Sequence, residues 1–76
     1  MRETLANLVW VDGRWHLHGR GVHAGDTVGI QLRDHAWREC RIESRDCGQR
    51  LFAHFLWHEE EVVLLVKDHH LLRWER

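Results

Sequence analysis

The sequence predicts an all-β fold, a small barrel or strongly bent antiparallel sheet of about five to seven short strands. Three observations support this prediction. Most short segments alternate apolar and polar residues with a period of two. Glycine and acidic residues separate these segments at short intervals. The chain has no proline, and 43% of its 76 residues are hydrophobic, as expected for one packed core. A chain of this length predicts a single domain, 1–76.

The first two predicted strands form a hairpin. Leu8–Val11 is strand-like, and the Asp12-Gly13 pair that follows it is the strongest two-residue signal for a hairpin turn. Arg14–His18 then returns along it, with Trp15 and Leu17 on one face and polar side chains on the other. We therefore expect the face that carries Trp15 and Leu17 to lie in the core.

Two further strands are predicted in the middle of the chain. Thr27–Leu32 alternates after a glycine-acid turn, and its apolar residues share one face. Trp37–Glu43 alternates as well, with Cys40 and Ile42 on its apolar face. The polar, glycine-containing segment Ser44–Gln49 is expected to be an exposed loop.

The last third of the chain fits two interpretations. Its apolar residues between 50 and 66 match one face of a helix, with no glycine or proline to interrupt it. Two strands are favoured, because Val62–Val66 is short and β-branched and the run Glu59-Glu60-Glu61 breaks the helical stripe. A tight acidic turn near His58–Glu60 would join these strands, and Leu71–Trp74 would add a final one. The alternative is an α+β fold with a helix in 50–66.

Composition restricts the compartment and the partners. The longest apolar run, Val62–Val66, is far shorter than the ~20 residues of a membrane-spanning helix. The first residues lead into no signal-peptide core, and two cysteines are too few for a disulfide framework. These features predict a cytoplasmic protein with no membrane partner. Eleven basic and twelve acidic residues give a net charge of −1, so no overall field attracts nucleic acid.

One segment resembles a known family. Residues 22–43 begin Val-His-Ala-Gly-Asp-Thr-Val-Gly-Ile and continue through Trp37 to Arg41-Ile42-Glu43. This pattern resembles a bacterial family of small domains of unknown function, in which a glycine-acid turn precedes a strand, a tryptophan and Arg-Ile-Glu. It is similar more widely to SH3-like barrels, where such a turn precedes a valine-rich strand. The resemblance covers about a third of the chain and implies an SH3-like β-barrel. It carries over no catalytic residue.

Residues that could carry chemistry do not complete a recognisable motif. His16 and His18 share one face of a strand, at a spacing that can chelate zinc, and are the candidate metal ligands. No Cys-x-x-Cys pair or His-Glu-x-x-His motif accompanies them, and surface histidines explain the pattern equally well. Cys40 is interpreted as a small core residue and Cys47 as an accessible thiol. We expect no cofactor, no resident metal and no enzymatic activity.

Aromatic residues give the clearest functional indication. Five Trp and two Phe exceed what a core of this size readily encloses, and such rings are common at interfaces. The predicted binding residues are Trp37, Arg38, Arg41 and Trp57. They favour a non-catalytic interaction module that binds a protein partner or a second copy of itself as a homodimer. The alternatives are single-stranded nucleic-acid binding through a Trp and Arg surface, and histidine-based metal binding.

Overall fold

The computed structural model describes residues 4–75, which form nine strands and no helix. The strands are β1 (Thr4–Leu5), β2 (Leu8–Val11), β3 (Arg14–Leu17), β4 (Arg20–Gly21), β5 (Thr27–Gln31), β6 (Trp37–Arg45), β7 (Arg50–Trp57), β8 (Glu60–Leu65) and β9 (Leu71–Trp74). Strands β1 and β4 have two residues each, and the other seven strands have four or more, within the predicted range of five to seven. The all-β prediction is confirmed.

The strands form two antiparallel sheets. The four-stranded sheet has the order β1-β2-β3-β4, and the five-stranded sheet has the order β8-β7-β6-β5-β9. Two-residue turns join β2 to β3, β3 to β4 and β7 to β8. Asp12-Gly13, His18-Gly19 and His58-Glu59 all have positive φ at both positions, which is the twist that two-residue hairpins require. The predicted hairpin at Asp12-Gly13 is therefore confirmed.

The core lies between the inner faces of the two sheets. Trp15 is 4% exposed and Leu17 is fully buried, as the alternation along β3 predicts. Cys40 and Ile42 on β6 are also buried, which confirms the register expected for that strand. The largest fully buried side chains come from both sheets and are Leu8, Leu17, Ile30, Ile42, Leu51, Leu72 and Val28.

Side-chain hydrogen bonds join the two sheets along β9. The Asn7 side-chain amide donates to the Leu72 carbonyl at 2.7 Å, and its carbonyl oxygen accepts from the Leu72 N–H at 3.1 Å. The Trp74 indole donates to the Leu17 carbonyl at 2.7 Å. Asn7 therefore acts as a one-residue strand partner for β9, and it covers the edge that β9 would otherwise expose.

The last third of the chain is a pair of strands, and the alternative of a helix in 50–66 is wrong. Burial along β7 has a period of two, because every second side chain from Leu51 to Phe55 packs in the core. The β7–β8 turn falls at His58-Glu59, within the predicted acidic segment. The loop before β7 is shorter than expected, since Arg45 still pairs with Arg50. Residues 4–75 include no helix with the length and apolarity to cross a membrane.

Candidate functional site

The four predicted binding residues lie on two different faces of the five-stranded sheet. Trp37 and Arg41 occupy alternate positions of β6 on its outer face, whereas Arg38 shares the inward face with Cys40. The Arg38 guanidinium carbon lies 4.3 Å from the ring centroid of Trp57. The structure therefore brings Arg38 and Trp57 together at one end of the sheet, and it does not assemble all four residues into one surface.

Arginines of the same chain cover the faces of several tryptophans. The Arg73 guanidinium lies 4.3 Å from the Trp37 ring centroid, and its Nε contacts the Glu75 carboxylate at 3.0 Å. Arg20 lies 4.1 Å from the Trp74 ring centroid. Each arrangement is a cation–π contact that occupies a ring face. The rings that the sequence offers for stacking are thus engaged in part within the molecule.

Arg38 holds the one buried side-chain nitrogen or oxygen that lacks a hydrogen-bond partner among residues 4–75, its Nε. One face of its guanidinium lies against the Trp57 ring, and the ring centroids of Trp57 and His58 are 4.9 Å apart in an edge-on contact. Together these three side chains close the end of the five-stranded sheet near the β7–β8 turn.

An exposed apolar surface lies on the outer face of the same sheet. It consists of Phe52, Leu56, Val63 and Leu65, and we name it the β7–β8 face. Leu56 is 68% exposed, Val63 57% and Leu65 36%, whereas Phe52 is half-buried under Arg45. The strand register makes these side chains neighbours, because Phe52 pairs with Leu65. These exposed apolar side chains remain in contact with water in a monomer. Clustered exposed apolar side chains are typical of surfaces that bind a partner.

The β7–β8 face ends at an open strand edge. Strand β8 is the last strand of its sheet, with no partner beyond it among the described residues. The Val66 N–H donates to the Leu51 carbonyl at 2.9 Å, so even-numbered residues of β8 direct their backbone groups toward β7. The N–H and C=O groups of Glu61, Val63 and Leu65 therefore point away from the sheet.

One histidine lies between two carboxylates on this face. His54 Nδ1 is 3.1 Å from the Glu43 carboxylate, and its Nε2 is 3.7 Å from the Glu61 carboxylate. The three residues come from β6, β7 and β8, where the register places them side by side. His54 lies between Phe52 and Leu56 on β7, and Glu61 lies opposite Leu56 on β8, so these polar side chains stand among the apolar residues of the β7–β8 face.

The candidate metal ligands are not part of a cluster. His16 lies on β3, where its Nδ1 is 3.1 Å from the Arg14 carbonyl, and His18 lies in the β3–β4 turn with a φ of 54°. In the part of the chain that is described, no three or more His, Cys, Asp or Glu side chains are arranged to hold a metal ion.

The two cysteines have opposite environments. Burial raises the pKa of the Cys40 thiol to about 12, with smaller contributions from Glu39 and Glu75. This thiol therefore stays protonated at neutral pH, and it packs as a small apolar side chain. Cys47 is exposed in the turn between β6 and β7.

The residues of the β7–β8 face were not among those predicted from the sequence. A signal was present, because Val62-Val63-Leu64-Leu65 is apolar at consecutive positions, which leaves apolar side chains on both faces of a strand. Only the inner face of that strand packs against the core, through Val62 and Leu64.

Comparison with known proteins yields no relative. No protein-family model matches the chain. Neither the curated proteins nor the solved structures contain a significant match. The resemblance of residues 22–43 to a bacterial family of small domains thus stays a prediction, and the candidate site stands on its own geometry.

Proposed function

We propose that this chain is a non-catalytic association module that pairs with a second copy of itself along β8. One observation carries the proposal: the exposed apolar β7–β8 face borders the open edge of β8. Open edges with apolar side chains pair readily with another strand, and most folds block them. Here both the backbone groups and the side chains are available to a partner.

An antiparallel pairing centred on Val63 uses the open edge fully. Val63 then faces Val63 of the second copy, and Glu61 faces its Leu65. Each of these residues directs its backbone away from β7, so about six interchain hydrogen bonds form. The two β7–β8 faces then lie side by side across a two-fold axis, with the Val63 and Leu65 side chains of both copies in the middle and a Glu61 side chain at each end.

The charges of β8 favour an antiparallel second copy. One end of the strand is acidic, with Glu59-Glu60-Glu61, and the other end is followed by Lys67. Antiparallel pairing places the acidic end of one copy near Lys67 of the other, whereas parallel pairing places like charges together.

Single-stranded nucleic acid is a less supported partner. Trp37 lies under Arg73, which is itself bonded to Glu75. The outer face of β6 also alternates basic residues with Glu39 and Glu43, so it presents no continuous basic stripe. Stacking of bases on Trp37 would require Arg73 to leave the ring.

Sedimentation equilibrium of untagged protein tests the proposal. The experiment compares the wild type with Val63→Lys over about 5 μM to about 500 μM. We expect a dimer for the wild type and a monomer for Val63→Lys, because a lysine at the centre of the edge repels its own copy and interrupts the apolar face.

A matched variant controls for the loss of an exposed valine. Val9 on β2 is 48% exposed on the other sheet, so Val9→Lys makes the same chemical change away from the proposed interface. We expect Val9→Lys to remain dimeric, and both variants to share the wild-type thermal transition at concentrations low enough for the wild type to be a monomer. A wild type that stays monomeric throughout, or a Val63→Lys variant that dimerises as well as Val9→Lys, contradicts the proposal.

A further inference from the structure

A second surface feature lies away from the β8 edge. A cleft of about 630 Å³ opens between residues 31–35, at the end of β5, and the segment that connects β8 to β9. Its basic and titratable lining consists of Arg33, His35, Lys67, His69 and His70, and no described Asp or Glu side chain lines it. Arg33 and Lys67 bring two positive charges to the cleft, and their chain neighbours Asp34 and Asp68 do not line it.

His70 gives this cleft a fixed hydrogen-bond donor. It is 5% exposed and is the one buried polar or charged side chain among the described residues. The Lys67 N–H donates to His70 Nδ1 at 2.9 Å, so the neutral imidazole carries its proton on Nε2. Nε2 has no hydrogen-bond partner within residues 4–75. Burial, with smaller contributions from His69 and Lys67, lowers the pKa of His70 and keeps this tautomer neutral.

We propose that the cleft binds a small phosphate monoester with an apolar body. The cations of Arg33 and Lys67 would hold the phosphate, and His70 would donate a hydrogen bond from Nε2. Leu32 and Leu64, which also line the cleft, would contact the apolar body. The volume is in the range of small-molecule sites, where a few polar groups fix the orientation of a largely apolar ligand.

A dianionic phosphate fits this lining better than a carboxylate does. Two permanent cations and several imidazoles meet no acidic side chain in the cleft, so a ligand with two negative charges gains more than one with a single charge. The main-chain turn that holds His70 is itself closed, because the His70 N–H donates to the Lys67 carbonyl at 3.0 Å. The backbone turn that carries His70 is therefore formed before a ligand arrives.

Titration of ¹⁵N-labelled protein with phenyl phosphate tests the proposal. We expect saturable amide shifts confined to residues 31–36 and 66–70. Inorganic phosphate should shift the same amides with at least about tenfold weaker affinity, since it lacks the apolar body. Benzoate, which carries the same ring and a single charge, should also bind more weakly by about fivefold or more.

Matched variants distinguish binding in the cleft from nonspecific attraction of the anion to any exposed arginine or lysine. Arg33→Gln and Lys67→Gln should each weaken phenyl phosphate binding by about fivefold or more. Arg50→Gln, which removes an exposed cation outside the cleft, should leave the affinity unchanged. His70→Gln tests the donor, and its thermal transition is measured first. If this variant does not fold, Arg33→Gln and Lys67→Gln carry the test.

Three results would overturn the proposal. One is the absence of saturable shifts in the two segments. Another is equal affinity for benzoate or inorganic phosphate and for phenyl phosphate. The last is equal weakening by Arg50→Gln and by the cleft variants. The cleft does not depend on self-association, so the titration on Val63→Lys protein should give the same affinity even where no dimer forms.

Discussion

Tryptophan and arginine pair within this molecule across long stretches of chain. Arg20 stacks on Trp74, Arg73 on Trp37 and Arg38 on Trp57. The composition indicates an excess of aromatic and guanidinium groups, and a sequence shows neither which of them meet nor which faces stay free. Three of the five tryptophans find an arginine inside the fold, which leaves the aliphatic side chains of β7 and β8 as the larger exposed apolar surface.

His70 predicts a loss of stability in mild acid. Burial, with smaller contributions from His69 and Lys67, lowers the pKa of His70 below its ordinary value, so the folded state takes up a proton less readily than the unfolded chain. Well above pH 6.5, His70 is neutral in both the folded and the unfolded chain and does not change the stability. As the pH decreases through and below that value, the unfolded chain binds the proton more readily, and the free energy of unfolding falls. Urea unfolding between pH 8 and pH 5 measures this dependence.

The variant His70→Gln should reduce this pH dependence, because the titrating group is gone. His16→Gln on the four-stranded sheet is the matched control and should keep the slope of the wild type. A slope that is equal in His70→Gln and in the wild type would show that the loss comes from other groups.

At the scale of elements, the turns were the best-determined feature of the sequence. Asp12-Gly13 predicts a hairpin and a positive φ at Gly13, and the structure has a φ of 80° there. The turn His58-Glu59 was placed only approximately, because neither residue is a usual occupant of that backbone conformation. The prediction of a turn in this region depends instead on the acidic run and on the β-branched strand that follows it.

The β7–β8 turn is therefore a site where stability can be gained. Glu59 has a φ of 67°, a conformation in which a side chain is unfavourable and glycine is not. Glu59→Gly should raise the free energy of unfolding by about 0.5 kcal/mol or more, whereas Gly13→Ala should lower it by about 1 kcal/mol. Urea denaturation of both variants gives the two values.

Glu59→Gly both removes a negative charge and relieves the strain of a positive φ, and a second variant separates these two effects. Glu59→Gln removes the charge and keeps a side chain, so it should gain less stability than Glu59→Gly. Equal gains in the two variants would assign the effect to the charge of the Glu59-Glu60-Glu61 run.

At the scale of the whole molecule, the division into two sheets was not predictable from the sequence. Alternation and turn residues determine local strands, but the contact between sheets depends on single side chains far apart in sequence, such as Asn7 at Leu72 and Trp74 at Leu17. The binding residues predicted from the sequence do not include the β7–β8 face for a similar reason. An edge strand and a central strand have the same local pattern, so the open edge of β8 emerges only from the strand order.

The hydrogen bonds between Asn7 and Leu72 should contribute to stability, because they join the two sheets. Asn7→Ala leaves the Leu72 N–H and C=O groups without their side-chain partner in a partly buried position. We expect a loss of about 1–3 kcal/mol in the free energy of unfolding. Asn7→Asp keeps the acceptor for the Leu72 N–H but turns a carboxylate oxygen toward the Leu72 carbonyl, so it should lose at least as much stability as Asn7→Ala. Wild-type stability in Asn7→Ala would mean that this contact does not hold the sheets together.

Hydrogen exchange at the β8 edge tests the proposed self-association most directly. The backbone amides of Glu61, Val63 and Leu65 point away from β7, so in a monomer they exchange rapidly with solvent. We predict that their exchange slows as the protein concentration rises, in step with the dimer fraction from sedimentation, and that it stays fast in Val63→Lys at residues 61 and 65. Exchange that remains fast while the protein is dimeric would contradict pairing through β8.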